Sequence, residues 1–216
     1  GCWSLGLGDV YKTQNLNRGK KVSKLETNRK GITKIALVGK YTELADSYKS
    51  VNEALVHAGI HNKTEVEIEY FDSQNFNNGV KKFKPQGILI PGGFGGRGID
   101  GMINVAKFAR TKNIPFFGIC LGMQVAVIEF ARNVLKISAN STEFEKTTKH
   151  PVIALITEWM DKKGLTQIRS ENSDKGGTMR LGSQVCILEK NSKMSKMYGT
   201  RTVSYTHLTL PTSVIV

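Results

Sequence analysis

Residues 88–98 read ILIPGGFGGRG, and residues 118–124, one helix later, read GICLGMQ. Ile88, Leu89 and Ile90 form an apolar run that stops at Pro91 and a cluster of glycines, the pattern of a buried strand that ends in a loop of closely approaching backbone. Pro115 to Ile119 repeats the pattern and ends at Cys120. From Leu121 the chain continues without a breaker through Val125, Ile128 and Phe130 to Ala131, with apolar spacing along one side of a helix. Cys120 is thereby expected on a sharp turn between a strand and a helix.

That position gives the thiol its chemistry. The positive end of a helix dipole and unpaired first-turn amides favour thiolate, the form that attacks carbonyls. Gly118 and Gly122 leave room for a tight turn of the nucleophile-elbow kind. The amide that follows the nucleophile can donate to a developing oxyanion, and the glycines at 92 and 93 can bring a second N–H to the same oxygen, which is the paired donation acyl transfer needs. Taken alone, Cys120 reads rather as a buried core thiol, because free cysteines are among the most buried residues; the flanking motifs are what reverse that reading.

The wider pass gives strands alternating with helices, which predicts an α/β fold: a mostly parallel sheet flanked by helices on both faces. Strands are expected at Lys34–Val38, Val66–Phe71, Gly87–Ile90 and Pro115–Ile119, with crossover helices near Leu44–Ala58 and Met102–Lys112. Shorter strands are expected at Val152–Ile156, Leu165–Ser170 and Gln184–Leu188, around turns at Asp161–Gly164 and Asp174–Gly177. Cys186 falls in an apolar run and reads as strand core. Ligands of such sheets bind beyond the carboxyl ends of the strands, where Gly92, Gly93 and Cys120 lie.

GICLGMQ resembles the nucleophile turn of the class I glutamine amidotransferases, which have a flavodoxin-like fold and take ammonia from glutamine through a glutamyl thioester. PGGFGGRG (91–98), NSTEF (140–144), ITEW (156–159) and GGTMRLG (176–182), in that order, together with KIALVGKYTELADSYKSVNEAL (34–55), are similar to the glutaminase domain of the CTP synthases. The resemblance spans roughly residues 30 to 200. It implies that Cys120 is the nucleophile, that Gly93 and Leu121 offer the oxyanion amides, and that Gly93, Phe94, Leu121, Gly122, Met123, Gln124 and Glu143 hold the glutamine. A carboxylate at 143 suits this, since it can pair with the α-ammonium group of the substrate; as an isolated residue it reads as a surface acid. Further implied for the complete enzyme are an N-terminal amidoligase domain that receives the ammonia, ATP and Mg, a GTP effector, and a homo-oligomer, a tetramer in the family. The other readings of the same residues are a different class I amidotransferase, a non-catalytic module of the same fold, or a cysteine hydrolase or redox protein using the same elbow.

A thiol nucleophile normally needs an imidazole base and a group that orients it. In the family both come from a late HPEF-like segment, and none occurs in this sequence. His57, His61, His150 and His207 do not match the family's base, and the arginine-bearing stretch that clasps the glutamine carboxylate is also missing. The expectation is a glutaminase domain over residues 31–200 that is C-terminally incomplete and inactive or nearly so alone. Residues 15–30 are polar and basic and read as a linker from a missing amidoligase domain. Residues 1–14 and 201–216 read as non-native tails. Val10–Gln14 back-translates as GTG TAT AAG ACA CAG, and the third frame of its reverse complement spells Val, Ser, Tyr, Thr and a codon beginning with C, as at Val203–His207. One DNA element in opposite orientations, of the sequencing-adapter kind, accounts for both.

Composition sets the remaining bounds. The 216 residues suit one α/β domain with a sizeable core. No apolar run approaches the roughly 20 residues that span a membrane, and no signal peptide is evident. Cysteines at 2, 120 and 186 fit no disulfide or metal spacing, consistent with a reducing, cytoplasmic setting. The net charge of +13 comes from scattered lysines without interleaved aromatics, so nucleic acid is not an expected partner. PGGFGGRG lacks the lysine and hydroxyl residue of a phosphate loop, so no cofactor and no metal is expected on this stretch itself. Arg97, Arg110, Arg169 and Arg180 read as solvated or salt-bridged.

Overall fold

A computed structural model describes residues 17–40, 45–75, 79–155, 158–160, 166–168, 184–205 and 213–215. They divide into two compact units, Gly1–Ile137 and Ser138–Val216.

The first unit is built on four parallel strands, β1 (Ile32–Gly39), β2 (Glu65–Asp72), β3 (Gly87–Ile90) and β4 (Phe116–Gly118), in the order β2-β1-β3-β4. This is the flavodoxin-like order. The helices are α1 (Asn17–Thr27), α2 (Lys49–Asn62), α3 (Gly79–Phe83), α4 (Ile99–Thr111) and α5 (Leu121–Asn133). From β1 the chain moves outward through α2 to β2, then returns past β1 through α3 to β3, and on through α4 to β4. Since parallel crossovers are right-handed, this reversal sends α2 to one face and α3 and α4 to the other. Packing of α4 beside α5 completes the second layer.

Burial follows that arrangement. The interior strands carry continuous apolar runs, Ala36–Leu37–Val38 and Ile88–Leu89–Ile90, all buried because both faces are covered. On one face Leu37 and Leu89 pack with Tyr48, joined by Ile35, Val51, Leu55, Ile68 and Ile119. The helices contribute Met102, Val105 and Ala109 from α4 and Leu121, Val125 and Ile128 from α5, at helical spacing. Strand β2 lies at the edge, and its first residues alternate, with Glu65, Glu67 and Glu69 outward and Val66 and Ile68 inward. All four strands of this unit coincide with the expected ones to within two residues at either end.

The helix ends differ more. The expected helix at 44–58 begins as a 3-10 turn, Ala45–Tyr48, and α2 runs on to Asn62, where Lys63 at φ +57° closes it. Helix α4 starts at Ile99, three residues before the expected Met102, because Gly98 at φ +71° makes the turn that launches it. Within the stretch read as a linker lies α1, which packs against α2. Lysine, leucine and glutamate are strong helix formers, and Arg29 closes on Glu26 at 2.9 Å just beyond its end.

In the second unit β5 (Ala139–Ser141) pairs in parallel with β6 (His150–Leu155), with a register shift at Asn140/Ser141, and β11 (Ser213–Ile215) pairs antiparallel to β6. Strands β7 (Glu158–Met160) and β8 (Thr166–Ile168) form an antiparallel pair. A second antiparallel pair is β9 (Gln184–Ile187) with β10 (Thr202–Tyr205), separated by the short α6 (Lys193–Tyr198). Strands stand at all three expected places: β6 begins two residues earlier than expected, β9 ends one residue earlier, and β8 occupies the middle of its expected stretch. The turns expected at Asp161–Gly164 and Asp174–Gly177 lie outside the described residues, as do residues 1–14. The reading of Cys186 as core is corrected: it is exposed, as are Val185 and Ile187 beside it. A two-stranded ribbon covers neither of its own faces, so an apolar run within it is not thereby interior. Among the described residues no helix is long and apolar enough to cross a membrane.

Candidate active site

Cys120 joins β4 to α5 with φ +53° and ψ −105°, a conformation that a residue with a Cβ rarely adopts. Holding it there costs on the order of 1–3 kcal/mol, and the surroundings impose it. Ile119 N–H donates to the carbonyl of Ile90 at 2.9 Å, while Met123 and Gln124 N–H groups both donate to the carbonyl of Cys120 at 3.1 Å. Both flanking glycines are sterically required. A methyl group on Gly118 would lie 2.4 Å from the carbonyl carbon of Gly122, and one on Gly122 would lie 2.1 Å from the carbonyl oxygen of Ile90. The thiol that results is exposed. Of the two sequence readings, the buried core thiol is thus excluded and the elbow is present.

The glycine loop after β3 comes to the same place. A methyl on Gly92 would be 3.6 Å from Cβ of Cys120, and one on Gly93 would be 3.2 Å from Cδ2 of Leu121. Gly93 therefore lies alongside the first residue of α5, whose N–H, like every first-turn amide, has no acceptor within its own helix. Phe94 and Met123 are exposed, whereas Leu121, Gly122 and Gln124 are buried.

Beneath the loop is a residue the sequence reading passed over. Lys40 follows β1 directly and is only 4% exposed. Its ammonium donates to the carbonyl of Phe94 at 2.8 Å and to that of Gly95. Its own N–H donates to the hydroxyl of Tyr48 at 3.2 Å, and the guanidinium of Arg97 donates to its carbonyl. Arg97, read as solvated or salt-bridged, instead closes this loop onto the end of β1. The only sequence signal for Lys40 was a lysine that directly follows a buried strand ending in Gly39, where a Cβ would collide with the Tyr48 hydroxyl at 2.3 Å.

Glu143 belongs to the second unit, in the turn that follows β5. The NSTEF residues build that turn from their own hydrogen bonds: Glu143 N–H donates to Oγ of buried Ser141 at 3.1 Å, and Glu145 N–H to the Ser141 carbonyl at 2.9 Å. Thr142 N–H donates to the carbonyl of Ile153 at 3.0 Å, which ties the turn to β6. Glu143 is half-buried. Of the histidines, His57 and His61 are exposed on α2, His150 opens β6, and His207 lies outside the described residues. Arg169 and Arg180 also lie outside them.

A strained, exposed cysteine between strand and helix, under a glycine loop at the carboxyl ends of a 2-1-3-4 parallel sheet, defines an amidotransferase-type elbow. The chain belongs to the class I glutamine amidotransferase family: the sequence model described as "Glutamine amidotransferase class-I" matches residues 43–213. Among solved structures it is similar to the glutaminase domain of Trypanosoma brucei CTPS with bound acivicin. That similarity has 37% sequence identity and a TM-score of 0.68, and covers 85% of this chain and 68% of the other. A putative GMP synthase protein from Thermoplasma acidophilum aligns at 13% identity and a TM-score of 0.45, over 85% of this chain and 67% of that one.

Proposed function

We propose that this chain is the glutaminase part of a CTP synthase, hydrolysing glutamine so that ammonia can be used to aminate UTP. The observation that carries the reading is the elbow: the exposed thiol of Cys120 at the head of α5, with Gly92 and Gly93 laid against it. The Cys120 sulfur forms a bond to the carboxamide carbon of glutamine, and the carbonyl π pair moves onto oxygen. The N–H groups of Gly93 and Leu121 receive that oxyanion, where one such donor lowers the barrier by about 3 kcal/mol. Collapse breaks the C–N bond, the nitrogen leaves as ammonia once protonated, and a thioester remains. Water then cleaves it to glutamate and restores the thiol.

In this reading Gly93, Phe94, Leu121, Gly122, Met123 and Gln124 line the glutamine site. In the complete enzyme of this reading an imidazole base with its orienting glutamate serves the thiol, and an amidoligase domain, with its ATP, Mg and GTP effector, consumes the ammonia. The complete enzyme is a cytoplasmic homo-oligomer, and this chain alone has little or no glutaminase activity.

The test uses acivicin, an electrophilic amino acid of about glutamine's length, with mass spectrometry of the intact chain. Cys120 is expected to gain one acivicin-derived adduct, and millimolar L-glutamine is expected to slow that gain several-fold while leaving Cys186 unaffected. Alkylation of Cys120 and Cys186 at equal rates, with no protection by glutamine, rules the reading out.

A further inference from the structure

We infer that Lys40 is a positioning residue for the nucleophile site: its buried ammonium holds the backbone of the glycine loop in the conformation that presents the Gly93 N–H beside Cys120. The inference rests on the glutaminase reading for what the loop does, and on geometry alone for what holds it. Residues 92–96 contain four glycines around Phe94, a stretch with little conformational preference of its own. At Gly95 and Gly96 there is no packing to confine it, since a methyl on either would meet nothing within 4 Å. Something outside the loop must fix it, and two consecutive carbonyls, of Phe94 and Gly95, converge on Nζ of Lys40. The lysine stem runs under Gly93, with Cδ 3.7 Å and Cε 3.9 Å from the position a methyl there would take.

The clamp is reciprocal. Lys40 grips the loop through its side chain, and the loop, through the guanidinium of Arg97, grips the carbonyl of Lys40. Tyr48 completes it by accepting the Lys40 N–H. Because β1 is an interior strand, the ammonium is anchored to the most rigid part of the sheet. Hydrogen bonds to a charged donor are stronger than neutral ones, so an uncharged side chain of the same length leaves both carbonyls without that donor and frees the loop. Lys40 acts through the peptide groups on either side of Phe94.

Two measurements on Lys40→Met decide the matter. The first is amide hydrogen exchange, which does not depend on the proposed activity: exchange over residues 92–98 is expected to rise about tenfold, while β1 and β3 keep their protection. The second is the rate of Cys120 alkylation by acivicin divided by the rate with iodoacetamide. As the thiolate adds to the ring carbon that bears chlorine, the C=N pair moves onto the ring nitrogen before chloride departs, so acivicin calls on the loop's N–H donors. Iodoacetamide, a simple displacement of iodide, does not. The ratio is expected to fall about tenfold, and Lys40→Arg, which keeps the charge, to recover part of it. Unchanged exchange over 92–98, or a rise spread over the whole first unit, overturns the clamp. A selective rise with an unchanged ratio overturns its role at the site while leaving the glutaminase reading intact. If acivicin fails to react selectively with Cys120 in the unsubstituted chain, the glutaminase reading falls, and the exchange result still decides the clamp.

Discussion

At Cys120 the chemistry and the backbone pull in different directions. In the proposed reading the residue carries a side chain for the sake of its thiol, yet its positive φ suits glycine. Cys120→Gly is therefore expected to remove acivicin reactivity at this site and to raise stability by about 1 kcal/mol, measured as a higher urea midpoint with unchanged slope. The flanking glycines behave oppositely. Gly122→Ala drives a methyl into the Ile90 carbonyl and is expected to cost about 3 kcal/mol or more. Gly96→Ala, in open space, is expected to stay within about 0.5 kcal/mol. The elbow was legible because Gly118 and Gly122 bracket the cysteine at a spacing that serves little else. Lys40 was not, since a lysine after a strand reads as a solvated end and nothing local reveals that two loop carbonyls, more than fifty residues away, take up its charge.

Among the elements, α4 and α5 are joined by more than apolar contact. Glu129 is buried, and Arg110 meets it through three hydrogen bonds, Nε to Oε2 at 2.9 Å and to Oε1 at 3.2 Å, and Nη2 to Oε1 at 2.8 Å. The hydrogen bonding of its guanidinium to the Glu129 carboxylate raises the arginine above its ordinary value, against a smaller opposing effect of desolvation. A raised cation stabilises the fold fully below its unfolded pKa, so this arginine introduces no pH dependence between about pH 5 and 9. The pair should matter instead through burial. Arg110→Met, which leaves a buried carboxylate unpaired, is expected to lower the melting temperature more than Arg110→Met combined with Glu129→Leu, in thermal unfolding followed by circular dichroism. The β9–β10 ribbon is a further lesson at this scale. Its apolar run read as interior because strand burial was inferred from composition, whereas the number of strands beside it decides. A thiol reagent is accordingly expected to titrate Cys186 in the folded chain, alongside Cys120.

For the molecule as a whole, the site lies where the direction of chain winding changes. After β1 the chain departs toward β2, after β3 toward β4, and the loops leaving these two neighbouring strands part at their carboxyl ends, opening the crevice in which such sheets bind ligands. Phe94→Ala is expected to slow acivicin alkylation of Cys120 several-fold, and Ile32→Ala, at the far end of β1, to leave it unchanged. This much of the plan was legible, because buried parallel strands and crossover helices write contrasting periods into the sequence. The second unit was less so: its strands are three to six residues long, too short for either period to establish itself. The strand order also fixes when the site can come into being. Ile35 pairs with Gly87, 52 positions later (87 − 35), and the intervening segment must first fold back through β2. Contacts of that separation form slowly, in the range of milliseconds to seconds for sheets dominated by them. Until β3 has docked, Gly92 is not yet alongside Cys120, so the elbow is complete only after this long-range pairing has formed.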